Sequence, residues 1–296
     1  MRVGLEYARV YTRVPVICRA AAVKPAVRRC VTLLLAACVL TSCRTGRNYS
    51  PADVHGYEGG PSGNAAISTG VDTLRVVAFN IRYAQRIDLA IALLESAPEL
   101  RAADVIVLNE MDENGTWLIA EALGMHYAYY PAVLHIRTRR DFGNAVLSRW
   151  PIVAHERIVL PHIARFQRTQ RTATAATITV GSTPVRVYAV HLGTLVEIGP
   201  GARQDQLRTV LKDAADYTHA IVGGDMNDGR LGPTAREEGF TWPTQYGPRT
   251  MPFGRVDHIF LKNLPVPDSA AAGTVRDTRG ASDHSPVWVR AILRSR

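Results

Sequence analysis

Apolar and polar positions alternate in short blocks along most of the chain. Residues 74–79 (LRVVAF) and 104–108 (DVIVL) are compact runs rich in β-branched residues, the pattern of buried strands. The first ends at Asn80 and the second at Asn109-Glu110. Further strands are predicted at 144–147, 152–159, 173–180, 185–191, 220–222, 256–261 and 286–292. Residues 181–184 (GSTP) lie between two of them and form a hairpin signal. Helical spacing appears at 88–94, where Ile87, Ile91 and Leu94 recur. It appears again at 116–123, stopped by Gly124, and at 202–217, where Leu207, Val210 and Leu211 share a face. Strands outnumber helices and the helices fall between strands. Two sheets with outer helices, an α+β arrangement, is the expected packing. No repeat or second linker breaks residues 72–296, which read as one domain.

The first 71 residues follow other rules. Arg28-Arg29 precede the apolar run 31–40 (VTLLLAACVL), and Leu40-Thr41-Ser42-Cys43 follows. A basic stretch, a short apolar core and small residues describe a secretory signal, too short to span a bilayer comfortably. The LTSC tetrad resembles the bacterial lipobox. Residues 1–43 are therefore expected to be a lipoprotein-type signal peptide, with Cys43 lipidated as the new N-terminus. LAAC (35–38) also fits, but leaves a cramped apolar core. Residues 44–71 are rich in Gly, Ser, Asn and Pro, and read as a flexible tether. The domain would then stand on the extracytoplasmic side of a bacterial membrane, periplasmic or at the cell surface, held through the N-terminal lipid.

Composition sharpens this picture. With 47% hydrophobic and 21% charged residues, the chain is ordinary for a globular protein. Its formal charge of +9 suggests nucleic acid, but residues 1–43 hold seven Arg or Lys against the single acid Glu6. All four cysteines (Cys18, Cys30, Cys38 and Cys43) also lie there, so the domain has neither an internal disulfide nor a thiol nucleophile.

The candidate chemistry gathers at strand ends. Asn80, Glu110 and His191 end strands, Asp225 and Asn227 follow one, and Asp283-His284 precede one. Such residues can converge on one rim of a sandwich. Glu110 and a second carboxylate suit a hard divalent cation. Asp225 and Asn227, at i and i+2, can point the same way if the backbone is extended; one would take a proton from water while the amide donates to an anionic oxygen. His191 and His284 can donate to a phosphoryl oxygen, and Asp257 can hold one imidazole in its tautomer. This set suits phosphoester hydrolysis, where positioning and charge neutralisation dominate.

The motifs FNIR (79–82), LNE (108–110), FGNAVLS (142–148), VHL (190–192), GGDMN (223–227), RVDHIF (255–260) and SDHSP (282–286) occur in the order seen in the endonuclease/exonuclease/phosphatase superfamily. The chain resembles that superfamily over residues 74–293. The resemblance implies a four-layer α/β/β/α sandwich, DNase-I-like, and Mg²⁺-dependent cleavage of a phosphoester, with Mn²⁺ as a possible substitute. It implies Glu110 as principal metal ligand, with Asn80 and Asp283 beside the metal. Asp225 would align or deprotonate the attacking water and Asn227 would steady the phosphate. His191 and His284 would stabilise the transition state, or one would protonate the leaving oxygen. Asp257 would orient a histidine, His284 first.

The chain departs from the pattern in three places. Asn109 stands where Gln is usual. Arg82 stands where apurinic endonucleases carry Asp. Asp112, followed by Glu113, replaces a basic residue that nucleases use to grip DNA, and two carboxylates at the rim would repel a phosphate backbone. A phosphodiesterase or phosphatase acting on a lipid head group or small molecule is therefore favoured over a secreted nuclease cleaving DNA. A non-catalytic binding module of the same fold is the alternative of another class. A monomer is expected.

Outside the motifs, Asn144 and Arg171 are candidate contacts for the substrate phosphate, while the RTRR run (137–140) is a solvated cluster able to attract anions. His258 alternates with Asp257 and should face away from the cleft. No P-loop, H-E-x-x-H or G-x-S-x-G motif is present.

Overall fold

The computed structural model describes residues 46–49, 54–61, 71–136 and 138–293. The expected signal peptide, with Cys43, lies outside these residues. Thirteen strands form two mixed sheets among the described residues. The larger sheet runs β1 (Gly46–Asn48), β5 (His126–His135), β6 (Asp141–Ser148), β4 (Val105–Met111), β3 (Thr73–Asn80), β13 (Val287–Ile292), β12 (Ala272–Thr274), with β2 (Tyr57–Gly59) also on β5. The smaller runs β11 (Asp257–Lys262), β10 (Ala220–Asp225), β9 (Thr183–His191), β8 (Thr172–Val180), β7 (Ile152–Val159).

Period-2 alternation divides each central strand between two cores. Val76 and Ala78 of β3 face the smaller sheet, joining Val107, Val187, Ile221 and Ile259 in the inter-sheet core. Val77 and Phe79 of the same strand face outward, onto α1 (Ile87–Ser96) and α2 (Glu113–Leu123) through Leu93, Leu94 and Ile119. On the far side, Tyr188, Val190 and Val222 pack on α3 (Pro200–Asp213) through Leu207, Val210 and Leu211, close to α4 (Gly232–Glu237). The chain is thus a four-layer α/β/β/α sandwich.

Two crossovers position the site. Strands β3 and β4 are parallel and joined through α1; β9 and β10 are parallel and joined through α3. A parallel crossover brings successive carboxyl ends of strands to the same edge. Register then aligns the polar residues in rows. In the larger sheet Asn80 pairs with Asn109 and Asn109 with Asn144; in the smaller, His191 pairs with Asp225 and Asp225 with Asp257. By alternation, all six side chains are on inter-sheet faces, one row opposite the other.

The segment expected to be a flexible tether departs from that reading in two places. Residues 46–48 and 57–59 form edge strands on β5, where main-chain pairing supplies what the composition lacks in apolar contacts. Among the described residues, no helix is long and apolar enough to cross a membrane.

Candidate active site

Glu110 is carried on a β-bulge. The β4–β6 register jumps from Asn109↔Asn144 to Met111↔Gly143, leaving Glu110 without a partner at φ +59°. Strict alternation would turn Asn109 and Glu110 to opposite faces; the bulge lets both serve the cleft. A second irregularity meets it. Arg82, Tyr83 and Ala84 form a short turn with φ of 37°, 56° and 48°, and contain no glycine. Left-handed backbone in successive non-glycine residues is strained, and such strain persists where the surroundings enforce it. Here the turn directs the Tyr83 backbone N–H to Glu110 Oε2 at 3.1 Å.

Asn80 separates two carboxylates. Its Nδ2 donates to Glu110 Oε1 and to Asp225 Oδ2, both at 3.2 Å, while its Oδ1 accepts the Arg82 N–H at 3.0 Å. Asp225 Oδ2 also faces His191 Nε2 at 3.5 Å and His284 Nε2 at 3.7 Å. His284 Nδ1 bonds Asp257 Oδ2 at 2.9 Å, so Asp257 meets the site through His284 and is a positioning residue. His258, on the opposite face, accepts from Trp242 Nε1 at 3.2 Å.

Burial sets the charge states. It pushes the Glu110 carboxyl upward, opposed by the Asn80 amide. It pushes Asp225 upward too, and the adjacent Asp257 carboxylate adds to this. His191 is driven well below its ordinary value by burial and by the Arg171 and His284 charges, and is neutral. His284 is also desolvated, but the carboxylates of Asp257 and Asp225 outweigh burial and raise it to about 9. The site therefore holds one neutral and one protonated imidazole on either side of a carboxylate.

Several expected residues are placed differently. Asp225 and Asn227 do not share an extended strand: Asn227 has φ +50° and its N–H closes a turn onto Asp225 Oδ1 at 2.9 Å, while its side-chain amide donates to the Leu192 carbonyl at 3.0 Å. Asn144 is buried with its amide committed to Asn109 and the Thr172 carbonyl, so it braces the sheets instead of facing a phosphate. Arg171 is partnered by Glu197 at 2.8 Å and stacked over Phe142, whose ring lies 5.6 Å from that of His191. Asp283 stands at the exposed rim, 3.5 Å from Arg82. Asp112 does not repel anions: it caps α2 through the Gly115 N–H and is neutralised by Arg140. Asp112 therefore offers no bar to a DNA backbone.

Residues that sequence reasoning missed include Tyr83, Glu197 and Ser282. The Ser282 hydroxyl donates to the Asn80 carbonyl at 2.7 Å and accepts the His284 N–H at 3.1 Å, fixing the SDHSP loop to the end of β3.

The residues present fit a divalent cation. Among the described residues, neither Glu110, Asp225 nor Asp257 is ion-paired to Lys or Arg; Asp225 and Asp257 are buried and face the one protonated imidazole, His284, and Glu110 is partly buried. Three carboxylates against one cationic imidazole leave room for a dication, and oxygen donors suit a hard one. Atoms of Asp225, Asp257 and His284 lie within 4.8 Å of one another and form one candidate group. Because His284 is bonded to Asp257, the Glu110 carboxylate beside Asn80 is the better donor.

A two-sheet sandwich with carboxylates and imidazoles on one rim defines a class of hydrolase, and comparison supports it. Residues 77–284 match the model of the Endonuclease/Exonuclease/phosphatase family, and the chain belongs to that family. The family is hydrolytic, with phosphodiesterase, phosphatase and nuclease members, generally dependent on divalent metal. No curated protein matches in sequence. Solved structures share the fold at low identity. A family protein from Leptotrichia buccalis C-1013-b is 18% identical with a TM-score of 0.58, over 74% of this chain and 100% of that one. The human Nocturnin catalytic domain, with bound sulfate, is 18% identical with a TM-score of 0.55, over 76% and 97%. Sphingomyelinase C from Streptomyces griseocarneus is 16% identical with a TM-score of 0.56, over 75% and 100%.

Proposed function

We propose that this protein is a divalent-metal-dependent phosphoester hydrolase, a phosphodiesterase or phosphatase, acting on the extracytoplasmic side of a bacterial membrane. The observation that carries the reading is the convergence on Asp225 Oδ2 of the Asn80 amide, His191 and His284, with Glu110 on the other side of Asn80. Glu110, with Asn80 beside it and Asp283 at the rim, would hold Mg²⁺ or Mn²⁺. When bound, the ion supplies charge neutralisation at the phosphate oxygens. Asp225, its proton affinity raised by burial, accepts the proton of the attacking water. His191, neutral, donates a hydrogen bond to a phosphoryl oxygen. His284, held protonated by Asp257, donates its proton to the leaving oxygen. Asn227 steadies the phosphate with what remains of its amide.

The location rests on the signal-like N-terminus and on Cys43 as a lipidation site. A lipid head group or small phosphoester is favoured because an anchored enzyme meets such substrates first. The test is hydrolysis of bis-p-nitrophenyl phosphate, p-nitrophenyl phosphate, sphingomyelin, phosphoinositides and plasmid DNA with Mg²⁺ or Mn²⁺, comparing wild type with Asp225→Ala. Metal-dependent turnover of a small or lipid ester, lost in the variant, supports the reading. Dominant plasmid cleavage, abolished by Glu110→Ala, would make the protein a nuclease. No turnover on any substrate would make it a binding module.

A further inference from the structure

One groove of the surface is lined by Arg47, Arg139, Arg168, Leu134 and Ile136. Gly46 lines both this groove and a neighbouring recess that includes Tyr83, Phe142 and Arg171, next to the active site: the Tyr83 N–H bonds Glu110 and the Phe142 ring lies 5.6 Å from that of His191. Several arginines of the chain are neutralised by acids. Arg140, Arg149, Arg171, Arg186 and Arg203 each pair with a carboxylate. Arg47, Arg139 and Arg168 are exposed and, among the described residues, have no acidic partner. Like charges on three neighbouring segments repel unless an anion joins them.

The backbone holds them together. Arg139 and Arg168 have φ of 56° and 58°, at the tips of the β5–β6 and β7–β8 connections. Asn48 of β1 ties the second tip down, donating to the Arg168 carbonyl and accepting the Gln170 N–H at 2.8 Å. Each tip adds an exposed apolar side chain, Ile136 at 47% and Phe166 at 69%. Basic groups set among exposed apolar residues are the pattern of a surface that meets an anionic bilayer. The chain's course points the same way: Cys43 precedes Gly46 by three residues, a reach on the order of 10 Å.

We propose that the groove of Arg47, Arg139 and Arg168 binds phosphate-bearing head groups of anionic lipids, so that the nearby active site is held close to the bilayer surface. This deepens the anchored-hydrolase reading by naming its partner, and rests on that reading for the position of the lipid.

Hydrogen–deuterium exchange on the full chain in vesicles tests it without turnover. Vesicles of phosphatidylcholine alone are compared with vesicles carrying about 30 mol % phosphatidylglycerol. Exchange in residues 46–48, 134–136 and 164–170 should slow by roughly twofold or more on the anionic vesicles only. R139E/R168E, whose side chains touch no carboxylate, should keep its melting temperature and lose that protection; R47Q should weaken it. Equal exchange on both vesicles overturns the proposal. So does the same protection on neutral vesicles from inorganic phosphate alone, which would mark a site for free anions. A protein that docks but hydrolyses nothing would sink the catalytic reading and leave the docking surface standing.

Discussion

Asn109 Oδ1 accepts the backbone N–H of Asp225 at 2.9 Å, across the gap between the two sheets. The same amide donates to the Val190 carbonyl at 3.0 Å and to Asn144 Oδ1 at 2.8 Å. One buried side chain thus fixes β4 against β9 and β10 at the floor of the cleft. The residue that departs from the family pattern is a brace, not a ligand.

Removing that brace strands buried polar groups. Asn109→Leu is expected to lower stability by about 2–4 kcal/mol, since each unsatisfied buried partner costs about 1–3 kcal/mol. Urea unfolding measures this. Hydrolysis should fall with it, because Asp225 loses the contact that sets its backbone.

Gly224 lies against the same strand. It has φ +133°, and a Cβ there would sit 2.1 Å from the Val190 carbonyl oxygen. Gly224→Ala therefore has to displace main chain and is expected to destabilise by about 3 kcal/mol or more. A thermal melt decides it; an unchanged melting temperature would show that β9 and β10 separate easily.

Charge at His284 predicts the pH response. Its folded-state value, about 9, is above the ordinary 6.5, so its stabilisation is fully present below pH 6.5 and is lost as pH rises through 9. Asp257→Asn should remove most of this slope and move the imidazole's NMR titration downward. The alkaline limb of the rate profile should shift in the same direction. A slope that survives Asp257→Asn would assign it to another group.

Metal removal should be equally readable. Chelation is expected to abolish hydrolysis, and Mg²⁺ or Mn²⁺ to restore it. A bound ion should also raise the melting temperature, since saturation to 100 times Kd contributes about 2.7 kcal/mol. Glu110→Gln should erase that rise even where the fold is intact, which calorimetry can show.

Much of this site was legible in sequence because its residues end apolar runs. Asn80, His191 and Asp225 could be placed on one rim from strand ends alone. Other parts left no such trace. The strand His126–His135 was missed because Pro131 interrupts it; the register shift beside that residue accommodates the missing donor. Simple alternation cannot foresee the bulge at Glu110. The turn at Arg82–Ala84 is left-handed without a glycine to announce it. Asp112 did carry a signal, an acid just ahead of a helix, but its motif position drew the reading toward the rim. The Arg171–Glu197 pair joins loops that have no local pattern at all.

The two polar rows belong to different sheets, which gives them a common fate. Each row alone holds three aligned side chains and lacks their counterparts. Turnover would then report on how faithfully the halves of the sandwich are joined. Slippage between them by a single residue would abolish the proposed turnover before spectroscopy registered any loss of strand content.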